Sequence, residues 1–152
     1  MSGTVPLREA ALAAIAERLA TQLADVAVER ARRAPVDTDA EPLPRLVVRG
    51  DDLEADDTQE PGRTHYRIGF GVSGFAAGTT DLAAEQALSL LHARSVAALA
   101  GWTPATPDLG DVAEQGAEFR LYEAEDTARP AGEFLARFTI LAIGPAGGPW
   151  SS

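Results

Sequence analysis

The sequence lacks cysteine, lysine and asparagine, and all of its thirteen basic residues are arginine. Without cysteine the chain can form neither a disulfide nor a thiolate metal site, so its fold depends on packing or on assembly. It also lacks an apolar run of the roughly 18 to 20 residues that span a bilayer, and no basic segment followed by an apolar core opens the chain. We therefore expect a protein that is made in the cytoplasm and does not enter a membrane.

Positive charge is scarce as well. Thirteen basic residues face 23 acidic ones, which gives a formal net charge of −10 at pH 7. Sequence-independent binding to DNA phosphates requires a surplus of basic side chains, so the composition argues against a protein that grips DNA by its backbone. A well-solvated surface explains an acidic composition equally well.

Two segments are predicted to be helices. In the first, residues 5–24 with Thr4 as N-cap, apolar residues recur at spacings of three and four. In the second, Thr80 is the N-cap, Gly101 follows the end, and a narrow apolar stripe faces one side. Its many alanines suit close packing on a sheet that carries glycines. The stripe consists of Leu88, Leu91, Ser95, Ala98 and Leu99.

Alternation of apolar and polar residues predicts the strands. The third of them, around residues 66–72, has one apolar face and one face carrying Gly69 and Gly71, where another backbone or a helix could approach closely. The last is apolar on both faces toward its end, which favours a central or covered position. The predicted strands cover residues 26–35, 45–49, 66–72, 117–123 and 134–143.

An acidic stretch separates the second and third strands. Residues 51–63 hold too few apolar side chains to be ordered by burial, so we expect a mobile loop. Its order of carboxylates lacks the alternating ligands and central glycine of a calcium-binding loop. With this loop, residues 1–144 are predicted to form one domain, and residues 145–152 a flexible C-terminal tail.

No motif of a catalytic, cofactor-binding or metal-binding site is found in the sequence. Gly69 and Gly71 lie inside a strand, not on the strand-to-helix turn of a dinucleotide site. Ser73 misses the nucleophile-elbow spacing, and His65 and His92 have no partner pattern for a metal or a nucleophile. We therefore predict no catalytic, cofactor-binding or metal-binding residue, and no enzyme.

One basic cluster could serve recognition. Its arginines could touch nucleic acid, guard an exposed edge strand, or form bidentate bonds with carboxylates of a neighbouring subunit. In an acidic protein, bonds to carboxylates of a neighbour are more economical than binding to nucleic acid, and the edge-strand guard stays an equal alternative. The candidate subunit-interface residues are therefore Arg30, Arg32, Arg33, Asp51, Asp52, Glu54, Asp56 and Asp57.

The order of elements resembles that of the tail terminator proteins of long-tailed phages and gene transfer agents. The resemblance rests on the short strand that ends in the acidic loop, the strand at 66–72 that leads into the helix capped by Thr80, and the closing strand at 134–143. It covers nearly the whole chain. It implies an α+β fold, in which two main helices flank a mixed, mainly antiparallel sheet of about five strands.

The same resemblance implies a hexameric ring in the virion that caps the tail tube at the head–tail interface. Its partners would be other copies of the chain, the major tail tube protein and the head-side connector or stopper protein. DNA would pass through the lumen without specific binding. The acidic loop and the tail after Gly144 would then contact neighbours.

Two alternatives stay open. Another head–tail joining protein, such as a stopper or tail completion subunit, would share these features. A small ligand-binding or regulatory α+β domain would instead require a cavity lined by Phe70, Phe119, Phe134 and Phe138.

Overall fold

The computed structural model describes residues 5–56, 61–145 and Trp150. Two helices and five strands follow one another in the predicted order. They are α1 (Leu7–Gln22), β1 (Ala27–Arg30), β2 (Arg45–Asp56), β3 (Arg63–Ala77), α2 (Asp81–Leu99), β4 (Leu109–Leu121) and β5 (Ala131–Pro145).

The strands form one sheet in the order β1-β2-β3-β5-β4. β1 runs parallel to β2, whereas all the other neighbours are antiparallel. The predicted α+β class with a mixed, mainly antiparallel sheet is therefore confirmed. The predicted central position of the last strand is also confirmed, since β5 lies between β3 and β4.

Both helices pack on the same face of the sheet. The core on this face includes Phe70 of β3, which stacks on Phe138 of β5 with ring centroids 5.3 Å apart. The predicted stripe of α2 is buried against the same cluster. Helix α2 packs on the sheet that carries the glycines, but Gly69 and Gly71 themselves lie on the opposite face. Large apolar side chains bury more surface than glycines can, and they decide which face the helix covers.

Gly69 nevertheless permits a close backbone approach, as its place in a strand predicted. A Cβ added there would lie 3.2 Å from the carbonyl oxygen of Asp52. This contact occurs where the pairing of β2 with β3 shifts, between Gly50 and Leu53.

The two helices begin differently. In α2 the hydroxyl oxygen of Thr80 accepts a hydrogen bond from the Ala83 amide at 3.0 Å, which confirms the predicted N-cap. Helix α1 begins at Leu7 after Pro6, whose side chain makes no capping bond. Thr4, the predicted cap, lies outside the described residues.

The predicted loop at 51–63 is wrong for the residues that the structure describes at its two ends. Strand β2 continues to Asp56, and β3 begins at Arg63. Backbone pairing with β3, and not burial of side chains, orders residues 51–56, since Glu54 lies opposite Arg67 and Asp56 opposite His65. Strand β3 is itself held by β5 along its whole length, so it offers β2 a fixed template. Residues 57–60, including the candidate Asp57, lie outside the described ranges.

Two other predicted strand ends were also wrong. β1 stops at Arg30, since Ala31 adopts a φ of 53°, which turns the chain away. β4 begins at Leu109 and not at Ala117, because two register shifts in its pairing with β5 interrupt the alternation that predicts a strand.

The predicted C-terminal tail is described at Pro145, which ends β5 opposite Arg63, and at Trp150, which forms an isolated antiparallel bridge with Pro6. Its predicted flexibility and the single domain at 1–144 stay predictions. Neither helix within the described ranges combines the length and the apolar character needed to cross a membrane.

Candidate interaction surface

Arg30, the first predicted interface residue, is paired inside the chain. Its guanidinium donates two hydrogen bonds to the carboxylate of Glu9 in α1, at 2.7 and 3.0 Å. The bond connects the end of β1 to the first helix. A residue engaged in this way offers a neighbouring subunit little unless the internal pair breaks.

Arg32 is also paired inside the chain. It donates to both carboxylate oxygens of Glu41, to Glu29 at 2.8 Å, and to two backbone carbonyls just downstream. The hydrogen bond from Arg32, followed by one from the Asp37 amide, lowers the pKa of Glu41 to about 2. Arg32 therefore holds residues 31–41, which we call the crossing segment, in one shape.

The crossing segment connects the two sides of the sheet. The carboxylate of Asp39 accepts hydrogen bonds from the Ala128 amide, with both oxygens at 3.0 Å. The carbonyl of the buried Thr38 accepts from Arg129 at 3.1 and 2.8 Å. The chain between β1 and β2 is thereby tied to the turn between β4 and β5. No pattern in the sequence indicated these bonds, because their partners lie about ninety positions apart.

A cleft of about 720 Å³ lies between the crossing segment, the sheet and the β4–β5 turn. Its volume is in the range of ligand-sized sites. We call it the arginine cleft. Its lining includes Arg33, Arg49, Arg120, Asp37, Asp39, Asp126, Glu133, Phe75 and Tyr122.

One wall of the arginine cleft is internally neutralised. Arg120 donates to Glu133 at 2.5 Å and lies 5.2 Å from the centre of the Tyr122 ring. Burial, followed by the nearby carboxylate of Glu133, raises the pKa of Tyr122 to about 12. The tyrosine therefore stays a neutral hydroxyl over the physiological range.

Two further arginines line the cleft together with Asp37, Asp39 and Asp126. Within the described ranges, Arg33 and Arg49 are the arginines without a hydrogen bond, an ion pair or a ring contact. Both line the same cleft. Arg33 was a predicted interface residue, whereas Arg49 was missed. The sequence does place Arg49 on one face of its predicted strand, together with Arg45 and Val47, because side chains alternate along a strand.

The remaining candidates lie on a free sheet edge. β1 pairs only with Arg45–Val48 of β2, so residues 51–56, which we call the acidic edge, have no strand on their outer side among the described residues. Asp51, Asp52, Glu54 and Asp56 are all exposed. Glu54 makes a 3.8 Å ion pair with Arg67. The structure thus separates the candidates into two internally bound arginines, one free arginine in a cleft, and a charged edge. Contact between these residues and another subunit stays a prediction.

The aromatic residues do not favour the ligand-binding alternative. Phe70, Phe134 and Phe138 are at most 1% exposed and fill the core, whereas Phe119 is 50% exposed. His92 packs edge-on against Phe119 and Phe134, with centroids 5.0 and 5.3 Å away. Among the described residues, no three His, Asp or Glu side chains are placed to hold a metal ion.

Comparison with known proteins gives a likeness of fold. No family model matches the sequence, and no match is found among curated proteins. The fold is similar to that of a chain in a solved structure described as "Virion of native gene transfer agent (GTA) particle", with a TM-score of 0.55 and 18% sequence identity. The match covers 88% of this chain and 94% of that chain. The two therefore share a fold over nearly their whole lengths.

Proposed function

We propose that this chain is a structural protein of a virion or gene-transfer-agent particle, and specifically a tail terminator that caps the tail tube and joins it to the head-side connector. The observation that carries the proposal is the fold shared, over 88% of this chain and 94% of the other, with a chain of a gene transfer agent virion. The element order of the sequence supports the same assignment. On this proposal the protein acts by assembly and not by catalysis.

The proposed partners are further copies of the chain in a hexameric ring, the major tail tube protein and the head-side connector or stopper. Repeated head-to-tail contacts between such copies close into a ring when the rotation between neighbouring subunits allows it.

The proposed location is the head–tail interface of the virion, after synthesis in the bacterial cytoplasm. The net charge of −10 supports a lumen through which DNA slides without being held, because like charges repel the phosphate backbone. Residues 1–144 would form the ring body, and the tail after Gly144 would reach a neighbour.

The proposal is tested by the mass of the purified full chain in solution, alone and with tail tube protein, followed by electron microscopy. We expect a species of six times 15.9 kDa that is seen as a ring on the end of the tube. A chain that stays monomeric in the presence of tube protein contradicts the proposal. A ring that binds the connector but not the tube would instead identify a stopper or tail completion protein.

A further inference from the structure

We infer that the outer face of α2 packs against the same face of a second copy of the chain, in an antiparallel two-fold contact. A two-fold contact joins two copies and does not extend into a ring. It is therefore a surface additional to the proposed ring contact, and it does not depend on the proposed function.

The outer face of α2 carries no charged side chain. Because a helix repeats every 3.6 residues, six exposed residues of α2 and its C-cap Ala100 fall on the side opposite the buried stripe. Charged residues make up 24% of the chain, and the outer face of α1 exposes Glu9 and Glu17. The outer face of α2 consists of Leu82, Gln86, Ser89, Leu90, Ala93, Ala97 and Ala100.

The two halves of this face differ in size. Leu82 and Leu90 in the first half are the most exposed large apolar side chains of the described residues, at 63% and 61%. The second half presents only alanines. A two-fold axis beside Ala93 would place Leu90 of one copy over Ala97 of the other. Large side chains then fill the space left by small ones, as close packing of helices requires, and one sequence supplies both sides of the contact.

Charged groups lie in the grooves on either side of this face. Arg94, Asp25 and Arg129 line one groove, and Glu85 and Arg120 line the other. Arg94 donates two hydrogen bonds to the carboxylate of Asp25, at 3.0 and 2.5 Å, so the two charges compensate each other within one subunit. On the helix itself, Arg94 and Glu85 lie about a quarter turn from the centre of the face. They therefore form its rim, where charges remain in contact with water.

An uncharged face suits a second copy of an acidic chain. Two copies of net charge −10 repel each other, and the repulsion is least where neither surface carries charge. A charged partner would lose the hydration of its charges against leucine and alanine without gaining a counter-ion. A helix of 19 residues is about 28 Å long, so the contact is smaller than a permanent interface, and we expect a weak, reversible dimer.

Introduced cysteines test the geometry, because the natural chain has none. Ala93→Cys, beside the axis, should form a disulfide-linked dimer under mild oxidation. Two copies of Gln86→Cys, or of Ala100→Cys, would hold their sulfurs about 20 Å apart, so neither variant should cross-link to itself, whereas their mixture should. Ala13→Cys, on an exposed position of α1, is the control and should give no dimer. The inference is wrong if both expected cross-links are missing or if Ala100→Cys cross-links to itself.

A charge placed on the face gives an independent test. Leu90→Arg should weaken self-association roughly tenfold or more, because the guanidinium would be desolvated against alanine. The substitution also makes the chain less negative, so a loss of association cannot come from net repulsion. Ala13→Arg has the same net charge and should associate like the wild type. Sedimentation velocity over a concentration series measures association, and circular dichroism checks that both variants fold. Unchanged association of Leu90→Arg would overturn the inference.

The two-fold contact and the proposed ring fail separately, since the contact is tested on the free chain without tube protein. If Leu90→Arg leaves the free chain unchanged but abolishes its attachment to tail tubes, another protein covers α2. The inference is then wrong and the terminator proposal stands. If Ala93→Cys cross-links as expected but the wild type forms no ring with tube protein, the terminator proposal is wrong and the two-fold contact stands.

Discussion

Individual arginines of this chain differ in role because of neighbours that lie far away in sequence. Arg30 and Arg32 are bound by Glu9 and Glu41, whereas Arg33, the next residue along, has no described partner. The sequence predicted a single cluster. The positive φ of Ala31 and the distant carboxylates divided it, and neither is visible in a local charge pattern.

Glu41 should make stability depend on acid pH. Its folded-state pKa is about 2 against an ordinary 4.5, so its contribution is present above 4.5 and is lost as pH falls toward 2. We expect the urea midpoint of the wild type to fall over this range more than that of Glu41→Gln. Urea unfolding followed by circular dichroism at several pH values measures the difference.

Glu17→Gln is the matched control, because Glu17 is exposed and makes no hydrogen bond or ion pair within the described ranges. It should retain the wild-type pH dependence. Parallel acid profiles for Glu41→Gln and the wild type would show that the Arg32–Glu41 pair does not stabilise the fold.

At the scale of elements, helices and strands were predicted most accurately where the periodicity of the sequence matches the pattern of burial. β3 around residues 66–72 alternates because one face meets the core, and α2 carries both its cap and its stripe. The half of β2 at 51–56 was missed because it is ordered by hydrogen bonds to β3, for which its own side chains give no signal. The start of β4 was missed because bulges break the alternation.

Packing between β3 and β5 predicts a coupled pair of residues. Gly74 lies opposite Phe134, and a Cβ added at Gly74 would lie 2.0 Å from the buried phenyl ring. Gly74→Ala should therefore lower the free energy of unfolding by about 1 to 3 kcal/mol, as overpacking does in a dense core. Denaturant unfolding measures the loss.

The same substitution in a Phe134→Leu background provides the control. The smaller side chain leaves room for the methyl group, so the loss caused by Gly74→Ala should shrink, and a double-mutant cycle should show coupling. Strictly additive losses would show that strain at Gly74 does not come from the ring of Phe134.

At the scale of the whole molecule, net charge acts on every encounter between copies. At −10, subunits repel one another over distances set by the Debye length, which falls from about 30 Å at about 0.01 M salt to about 8 Å at about 0.15 M. Short contacts between an arginine and a carboxylate are screened much less. Association between subunits should therefore strengthen over this range of salt.

Sedimentation velocity at fixed protein concentration tests this expectation. Glu17→Gln/Glu85→Gln, which removes two exposed carboxylates from the helices, should depend less on salt than the wild type. Association that weakens steadily from the lowest salt would show that attraction between charged patches outweighs the net repulsion.

The sequence alone determined the α+β class, the order of the elements, the core face of β3, the Thr80 cap and the acidic net charge. These follow from side-chain periodicity, capping chemistry and charge, which are local properties or simple sums. Tertiary structure alone decided that β2 continues through 51–56, that both helices cover one face of the sheet, and that Arg33 and Arg49 meet in one cleft. Each of these depends on partners brought together across the sheet, and such partners leave no periodic trace in the chain.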